Sequence, residues 1–178
     1  MNRITFSWLI YVAAIVSCNE EKETKDFYPV QAWIAAELNN IDSLNLVITR
    51  ISGNQKDSST ISGTAFKKIA LGLFSVDFTD EHTRDQFVEE VLDEGNNTNI
   101  SIIYVATEKS KEPLKKIQVN IKPGESSPKS MYAERTDISD KTFISRKMIW
   151  ERGHSLTVAS AYYQDKQLIN EAKEKFEW

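Results

Sequence analysis

The chain of 178 residues is poor in the side chains that most catalytic and metal sites use: it has one cysteine, Cys18, and two histidines, His82 and His154. A single thiol cannot form an internal disulfide, so a hydrophobic core must hold the domain together. The scarcity of cysteine and histidine argues against a zinc site. No Gly-x-x-x-x-Gly-Lys-Ser/Thr, Gly-x-Gly-x-x-Gly or Gly-x-Ser-x-Gly motif is present, so nucleotide-binding loops and a hydrolase nucleophile elbow are not predicted.

Glycine, proline and basic charge are also limited. Six glycines and four prolines are scattered through the chain, so we expect no interdomain linker after residue 26. The 22 basic residues are outnumbered by 26 acidic ones. Without a basic stripe, an acidic chain is not expected to bind nucleic acid.

The single cysteine occupies an informative position. Arg3 is followed by an apolar run over residues 4–14 and then by Ile-Val-Ser-Cys at residues 15–18. This run is too short for a transmembrane helix, and the four residues resemble a bacterial lipobox. We therefore predict that residues 1–17 are a lipoprotein signal peptide and that Cys18 is the lipidated residue, carrying palmitate or similar acyl chains that anchor it to a membrane.

The residues after the cysteine indicate where the anchor would hold the protein. Residues 18–26 form a charged segment that cannot pack, which is typical of a tether. Asn19 stands where an aspartate would retain an enterobacterial lipoprotein at the inner membrane. Glu20 and Glu21 resemble the surface-export signal of Bacteroidetes lipoproteins. We therefore expect an outer-membrane protein of the bacterial envelope, either periplasmic or surface-exposed.

Residues 27–178 are predicted to form one domain whose first part is rich in helix. Apolar residues at helical spacing predict an amphipathic helix over residues 29–40, and Ser62 is a plausible N-cap for a helix that reaches Leu73. Thr79 is the predicted N-cap of a further helix over residues 80–94. A strand is predicted over residues 44–51 and a loop over residues 53–59.

The second part of the domain has the two-residue period of strands. We predict strands over residues 100–107, 116–121, 129–137, 142–150 and 155–163, with residues 171–178 either strand or helix. Short links between successive strands predict an antiparallel meander. The expected class is therefore α+β, with N-terminal helices on one face of a curved meander sheet of about five to seven strands.

Three segments carry a resemblance to a known group of proteins. They are residues 27–30 (Phe-Tyr-Pro-Val), 116–121 (Lys-Ile-Gln-Val-Asn-Ile) and 148–155 (Met-Ile-Trp-Glu-Arg-Gly-His-Ser). In these the chain is similar to small Bacteroidetes envelope lipoproteins of uncharacterised function. The resemblance implies a lipid-anchored α+β domain, and it brings no activity, ligand or catalytic residue with it.

The predicted helix over residues 80–94 is the best candidate for a metal site. Asp85, Glu89 and Asp93 recur every four residues, so they would share one face of that helix. Carboxylate oxygens are the ligands that Ca²⁺ prefers. The alternative is a solvated acidic face, and both interpretations stay open at this point.

Composition and motifs favour a binding or structural domain over an enzyme. No catalytic residue and no cofactor is predicted. Tyr132, Trp150, Tyr162 and Tyr163 lie on predicted strands, where they either fill the core or stack on a sugar or peptide. The main hypothesis is a non-catalytic, lipid-anchored envelope domain with an unknown ligand or partner. The alternatives are a carrier of an apolar ligand between sheet and helices, and an enzyme acting on envelope glycans or peptides.

Overall fold

The structure, a computed structural model, describes residues 27–53, 57–93, 95 and 99–178. The predicted signal peptide, the lipidation site Cys18 and the tether over residues 18–26 lie outside the described residues. Three helices and nine strands occupy the described part, in the order α1 (Val30–Ser43), β1 (Ile48–Ser52), β2 (Asp57–Ile61), α2 (Gly63–Leu73), α3 (Glu81–Arg84), β3 (Phe87–Asp93), β4 (Ile100–Ala106), β5 (Leu114–Ile121), β6 (Ser130–Ser139), β7 (Thr142–Glu151), β8 (Ser155–Gln164) and β9 (Gln167–Glu177).

All nine described strands belong to one antiparallel sheet, in the spatial order β2-β1-β9-β8-β7-β6-β5-β4-β3. Strands β3 to β9 form an uninterrupted meander of seven strands. The first strand, β1, pairs with the last, β9, through partners such as Arg50 and Phe176. The N-terminal hairpin β1–β2 therefore extends the meander at its C-terminal side, and β2 and β3 are the edge strands.

Short turns set the register of the longest hairpins. The loop between β8 and β9 contains only Asp165 and Lys166, both with positive φ, which matches the backbone of a two-residue hairpin turn. Asp140 has a φ of 45° in the equally short β6–β7 turn. Gly153, with a φ of 68°, lies in the β7–β8 connection, where its lack of a Cβ makes the left-handed conformation inexpensive.

Helices α1 and α2 pack against one face of the sheet, which we call the inner face. Met131, Trp150, Leu156 and Phe176 are successive cross-strand partners on it, and all four are buried. Trp33 of α1 contacts the Trp150 ring at 5.8 Å, and Phe66 of α2 contacts the Phe176 ring at 5.5 Å. Aromatic side chains from helices and sheet thus fill the space between them.

The start of α2 is positioned by its predicted cap. Ser62 has an extended backbone, and its hydroxyl accepts a hydrogen bond from the Ala65 N–H at 3.2 Å. This satisfies one of the amide groups that a helix leaves without a partner in its first turn. The prediction of a helix from Ser62 to Leu73 is therefore confirmed.

The predicted fold class was wrong. The domain is mostly sheet, with nine strands rather than five to seven and about 20% helix, so it is not an α+β domain of helices covering a smaller sheet. Two segments account for the extra strands. Residues 57–61, of which 57–59 were predicted as loop, form β2, and the second half of the predicted helix over residues 80–94 forms β3.

The wrong prediction of a helix over residues 80–94 has a clear structural cause. Asp80, and not Thr79, caps the four-residue helix α3, because its carboxylate accepts hydrogen bonds from the N–H and hydroxyl of Thr83, both at 2.8 Å. The chain then turns, and Phe87 begins a seven-residue ladder with β4. Pairing with a neighbouring strand overrides the weak helical preference of this acidic segment.

Other element predictions were confirmed within a few residues. The helix predicted over residues 29–40 is α1, and the strands predicted over residues 44–51, 100–107, 116–121, 129–137, 142–150 and 155–163 are β1 and β4 to β8. The segment left open between strand and helix, residues 171–178, belongs to β9 as far as Glu177. A clear period or a cap marked these elements in the sequence.

Candidate functional site

The inner face has two halves with different environments. Near one end of β6 to β9, Met131, Trp150 and Phe176 are buried beneath α1 and α2. Toward the other end, the strands continue past the apolar core. We call this second half the open inner face and define it by the inner-face positions Arg135, Asp137, Ile144, Arg146, Ser160, Tyr162, Ala172 and Glu174.

A cleft of about 460 Å³ lies between the open inner face and α2. Lys68, Ile69, Gly72 and Leu73 of α2 form one wall. The sheet forms the other, with Arg135, Asp137, Arg146, Val158, Ser160, Tyr162 and Glu174. We call this the arginine cleft. Its volume is within the range of pockets that hold small ligands.

Two arginines of the cleft are brought together by strand register. Arg135 of β6 and Arg146 of β7 are direct cross-strand partners. Their side chains are only 14% and 22% exposed. Like charges directly opposite each other destabilise an antiparallel pair, so this arrangement requires a compensating group.

Asp137 provides that compensation. Its Oδ1 accepts a hydrogen bond from Arg135 Nε at 2.8 Å, and its Oδ2 accepts one from Arg146 Nη1. One carboxylate is therefore shared by two guanidinium groups, and the cluster keeps one positive charge in excess. Charge-assisted hydrogen bonds of this kind hold the arginine side chains in defined positions.

The two arginines differ in how fully they are engaged. Arg135 Nη1 also donates to the hydroxyl of Ser75 at 2.8 Å and to the carbonyl of Leu73 at 3.5 Å, which ties β6 to the end of α2. Arg146 donates only to Asp137 within the described ranges. Its remaining guanidinium N–H groups are therefore available to a ligand.

A second ion pair extends the charged surface. Arg50 of β1 donates through Nε to Glu174 Oε1 of β9 at 2.8 Å. Glu174 and Tyr162 line both the arginine cleft and a neighbouring concavity of about 880 Å³ that includes Arg50. Together the two concavities are lined by six cations and three carboxylates, a balance that favours an anion; they are Arg50, Lys68, Arg135, Arg146, Lys147 and Lys173, and Asp137, Glu171 and Glu174.

The predicted calcium ligands do not form the expected cluster. Asp85 follows α3 as its C-cap, whereas Glu89 and Asp93 are exposed on the edge strand β3. Four residues along a strand span about 13 Å, compared with about 6 Å on a helix, so Glu89 and Asp93 are too far apart to share one ion. Over the described ranges, no group of three or more His, Cys, Asp or Glu residues is placed to hold a metal ion.

Glu89 instead takes part in a contact near the start of the domain. Tyr104 is fully buried; this burial and the nearby Glu89 carboxylate raise the pKa of its hydroxyl. The Tyr104 oxygen accepts a hydrogen bond from the Tyr28 N–H at 2.7 Å, and its ring stacks on Phe27 at 4.4 Å. These contacts fasten the first described residues to β4.

The two histidines and the predicted aromatic residues occupy separate places. His82 on α3 and His154 in the β7–β8 turn are both exposed. Trp150 belongs to the core, which is one of the two places predicted for it, but Tyr162 lines the arginine cleft. Tyr163 stacks on Phe143 at 4.3 Å, and Tyr132 donates its hydroxyl to Glu134 at 2.6 Å.

The space beneath the helices is packed with side chains. Trp150 is in ring contact with Trp33, Phe66, Phe74 and Trp178, at centroid distances of 5.5–6.1 Å. The carrier hypothesis requires a large apolar cavity between sheet and helices. In the described part, aromatic rings occupy that position, so no observation favours a carrier.

The comparisons with known proteins identify no relative. No protein-family model matches the chain, and neither a curated protein nor a solved structure matches it. The resemblance to Bacteroidetes envelope lipoproteins therefore stays a prediction. Of the helices that the structure describes, none is both long and apolar enough to cross a membrane.

Sequence reasoning missed the arginine cleft, although a signal for part of it was present. The predicted strands over residues 129–137 and 142–150 are separated by a short polar segment. If Asp140 and Lys141 are taken as a two-residue turn, Arg135 is placed opposite Arg146, as the structure shows. The approach of α2 to this pair could not be inferred from any local pattern.

Proposed function

We propose that this protein is a lipid-anchored lipoprotein of the bacterial envelope whose domain is a non-catalytic binding module. The open inner face would be its binding surface. The observation that carries this proposal is the contrast between the two halves of the inner face: an aromatic core fills one half, while a cleft with convergent polar groups lies at the other. A concave site with few, defined polar groups is typical of ligand binding.

The chemistry of the cleft supports binding rather than catalysis. Guanidinium groups stay protonated in proteins, so Arg135 and Arg146 can hold a ligand but cannot exchange protons with it. Both acids of the cleft are engaged by arginine: Asp137 accepts hydrogen bonds from Arg135 and Arg146, and Glu174 accepts one from Arg50. Ser160 supplies a hydroxyl, but the described lining contains no histidine to activate it.

The proposed anchor rests on the sequence around Cys18. A basic residue, an apolar run and a lipobox-like ending precede this single cysteine, and a charged segment follows it. Attachment through two or more acyl chains would hold the domain stably at an outer-membrane surface. The domain would then present its open inner face to a ligand in the periplasm or outside the cell.

The anchor is tested by Cys18→Ala in bacterial cells. We expect the variant to lose incorporation of labelled palmitate and to leave the membrane fraction or remain unprocessed. Arg146→Gln is the control, because a change in the cleft should leave both labelling and fractionation intact. Unchanged labelling of the Cys18→Ala protein would contradict lipidation at this residue.

The binding surface is tested with Gly72, which lines the cleft and has no heavy atom within 4 Å of the position of an added Cβ. Gly72→Trp should obstruct the cleft, whereas Gly72→Ala makes the matched backbone change and leaves it open. Small anionic, neutral and cationic probes are titrated while backbone amide resonances are recorded. The proposal expects one class to shift resonances of Ser160 and Tyr162 in the Gly72→Ala protein but not in the Gly72→Trp protein. It is contradicted if no class does so.

A further inference from the structure

We propose that the arginine cleft binds the carboxylate or phosphate group of a small anionic ligand, with Arg146 as its main contact. This inference rests on the proposed function, because it names the ligand class of the same surface. The neighbouring side chains of Lys68 and Tyr162 give the ligand a second cation and an aromatic wall. The common feature of the two ligand types is an oxyanion that can accept two parallel hydrogen bonds.

The charge of the cluster is the first argument. Arg135 and Arg146 lie directly opposite each other and share the single carboxylate of Asp137. One positive charge is therefore left without a partner in a region where the side chains are at most 32% exposed. A bound anion would neutralise that charge, whereas a cation would add to the repulsion.

The unequal engagement of the two arginines is the second argument. Arg135 donates to Asp137, Ser75 and Leu73, so its position is already determined by protein groups. Arg146 uses only Nη1 for Asp137. A guanidinium group presents its donors in a planar fork that fits carboxylate and phosphate oxygens, and the free part of the Arg146 fork lines the cleft. Arg135 is thus the positioning residue and Arg146 the ligand contact.

The walls of the cleft supply the third argument, because they indicate the size and character of the ligand. About 460 Å³ accommodates a small molecule but not a folded domain. Ile69 and Leu73 add aliphatic surface on the α2 side, opposite Tyr162 on the sheet. An anion with a modest apolar or ring-shaped body matches this combination better than a highly charged polymer.

The experiment compares probes that differ in charge at similar shape. Benzoate and benzamide share a ring, and inorganic phosphate represents the second type of oxyanion; sodium chloride keeps the ionic strength constant. Binding is measured by calorimetry and by side-chain resonances of arginine. We expect benzoate or phosphate to bind and benzamide not to bind. The anion that binds with the higher affinity identifies the ligand group as carboxylate or phosphate.

Variants then assign the binding to the cluster. Arg146→Gln should weaken anion binding at least tenfold, and Arg146→Lys, which keeps the charge but loses the fork, should give a smaller loss. Asp137→Asn should tighten binding several-fold, because it removes the carboxylate that competes for both arginines. Arg152→Gln is the control: Arg152 also pairs with an acid, Glu125, but it is not part of the cleft.

Each failure has a distinct meaning. Anion binding that survives Arg146→Gln and Arg146→Lys, equal binding of benzamide, or no binding of either anion would overturn this inference. The proposed function would survive if a neutral or cationic probe still bound the open inner face and lost that binding in Gly72→Trp. Circular dichroism of every variant separates lost binding from lost folding, and the expected gain with Asp137→Asn cannot be produced by unfolding.

Discussion

The shared carboxylate of Asp137 should matter more to stability than either arginine that it binds. Asp137→Asn keeps the size of the side chain but leaves Arg135 and Arg146 facing each other without a counter-charge. Arg146→Gln, in contrast, leaves the neutral pair of Arg135 and Asp137 intact. The two variants therefore test whether the cluster is a charge-balanced unit or two independent ion pairs.

The magnitude follows from the exposure of the three side chains, which is 14%, 22% and 32%. Removing one partner of a buried ion pair costs about 3–5 kcal/mol, and exposed pairs contribute about 0.2–1 kcal/mol. The cluster lies between these limits, so we expect Asp137→Asn to lower the free energy of unfolding by about 2 kcal/mol. Arg146→Gln should lower it by about 0.5 kcal/mol.

Urea denaturation followed by circular dichroism is the suitable assay, because guanidinium chloride would screen the charges under study. With a slope of about 2 kcal/mol per molar urea, Asp137→Asn should lower the midpoint by about 1 M. Raising sodium chloride to 1 M should recover part of the loss, since screening weakens the repulsion between the arginines. Asp165→Asn, in an exposed turn, is the control and should change stability by less than about 0.5 kcal/mol.

A double variant provides the decisive comparison. Arg146→Gln added to Asp137→Asn should restore stability, because it removes one of the two repelling cations. The reasoning fails if Asp137→Asn is as stable as the parent protein. It also fails if the double variant loses the sum of the two single effects, since the three side chains would then not act as a unit.

Three further predictions concern the core, a helix cap and alkaline pH. Trp150→Ala should cost about 3–5 kcal/mol because Trp150 is fully buried, whereas the neighbouring, exposed Ile149→Ala should cost less than about 1 kcal/mol in the same urea assay. Ser62→Ala should cost about 0.5–2 kcal/mol through loss of the α2 cap, and rescue by Asp at this position distinguishes capping from packing. Burial and the Glu134 carboxylate raise the pKa of Tyr132 to about 12. The contribution of the protonated Tyr132 hydroxyl to the free energy of unfolding should be complete below about pH 10 and lost as pH rises through about 12. Tyr132→Phe should therefore reduce the loss of stability over this pH range.

The sheet could be predicted strand by strand where the sequence alternates clearly. Strand β5 (Leu114–Ile121) places Leu114, Ile117 and Val119 in the core, and the clean alternation over residues 116–121 identified it. The segment from Asp80 to Asp93 has no such pattern. Its acids and aliphatics fit a helix as well as a strand, and only the ladder with β4 makes it extended.

The candidate site was less predictable than the fold. Asp85, Glu89 and Asp93 were grouped because a helix was assumed, and the group disappears once β3 replaces that helix. Arg135 and Arg146 were overlooked because each is unremarkable in its own strand. Their contact arises only from the register of the β6–β7 hairpin, and their enclosure arises from α2, which precedes them by about 60 residues.

The sequence by itself determined the features that depend on neighbouring residues: the lipobox-like segment ending at Cys18, the cap at Ser62 and the alternating strands of the meander. These features follow from the spacing of residues that are close along the chain, so they can be predicted without knowing the tertiary contacts. Tertiary structure alone decided that β3 is a strand and that Arg135, Asp137 and Arg146 form one charged cluster beside α2. Strand pairing brings together residues that are distant along the chain, so the cleft exists only in the folded domain.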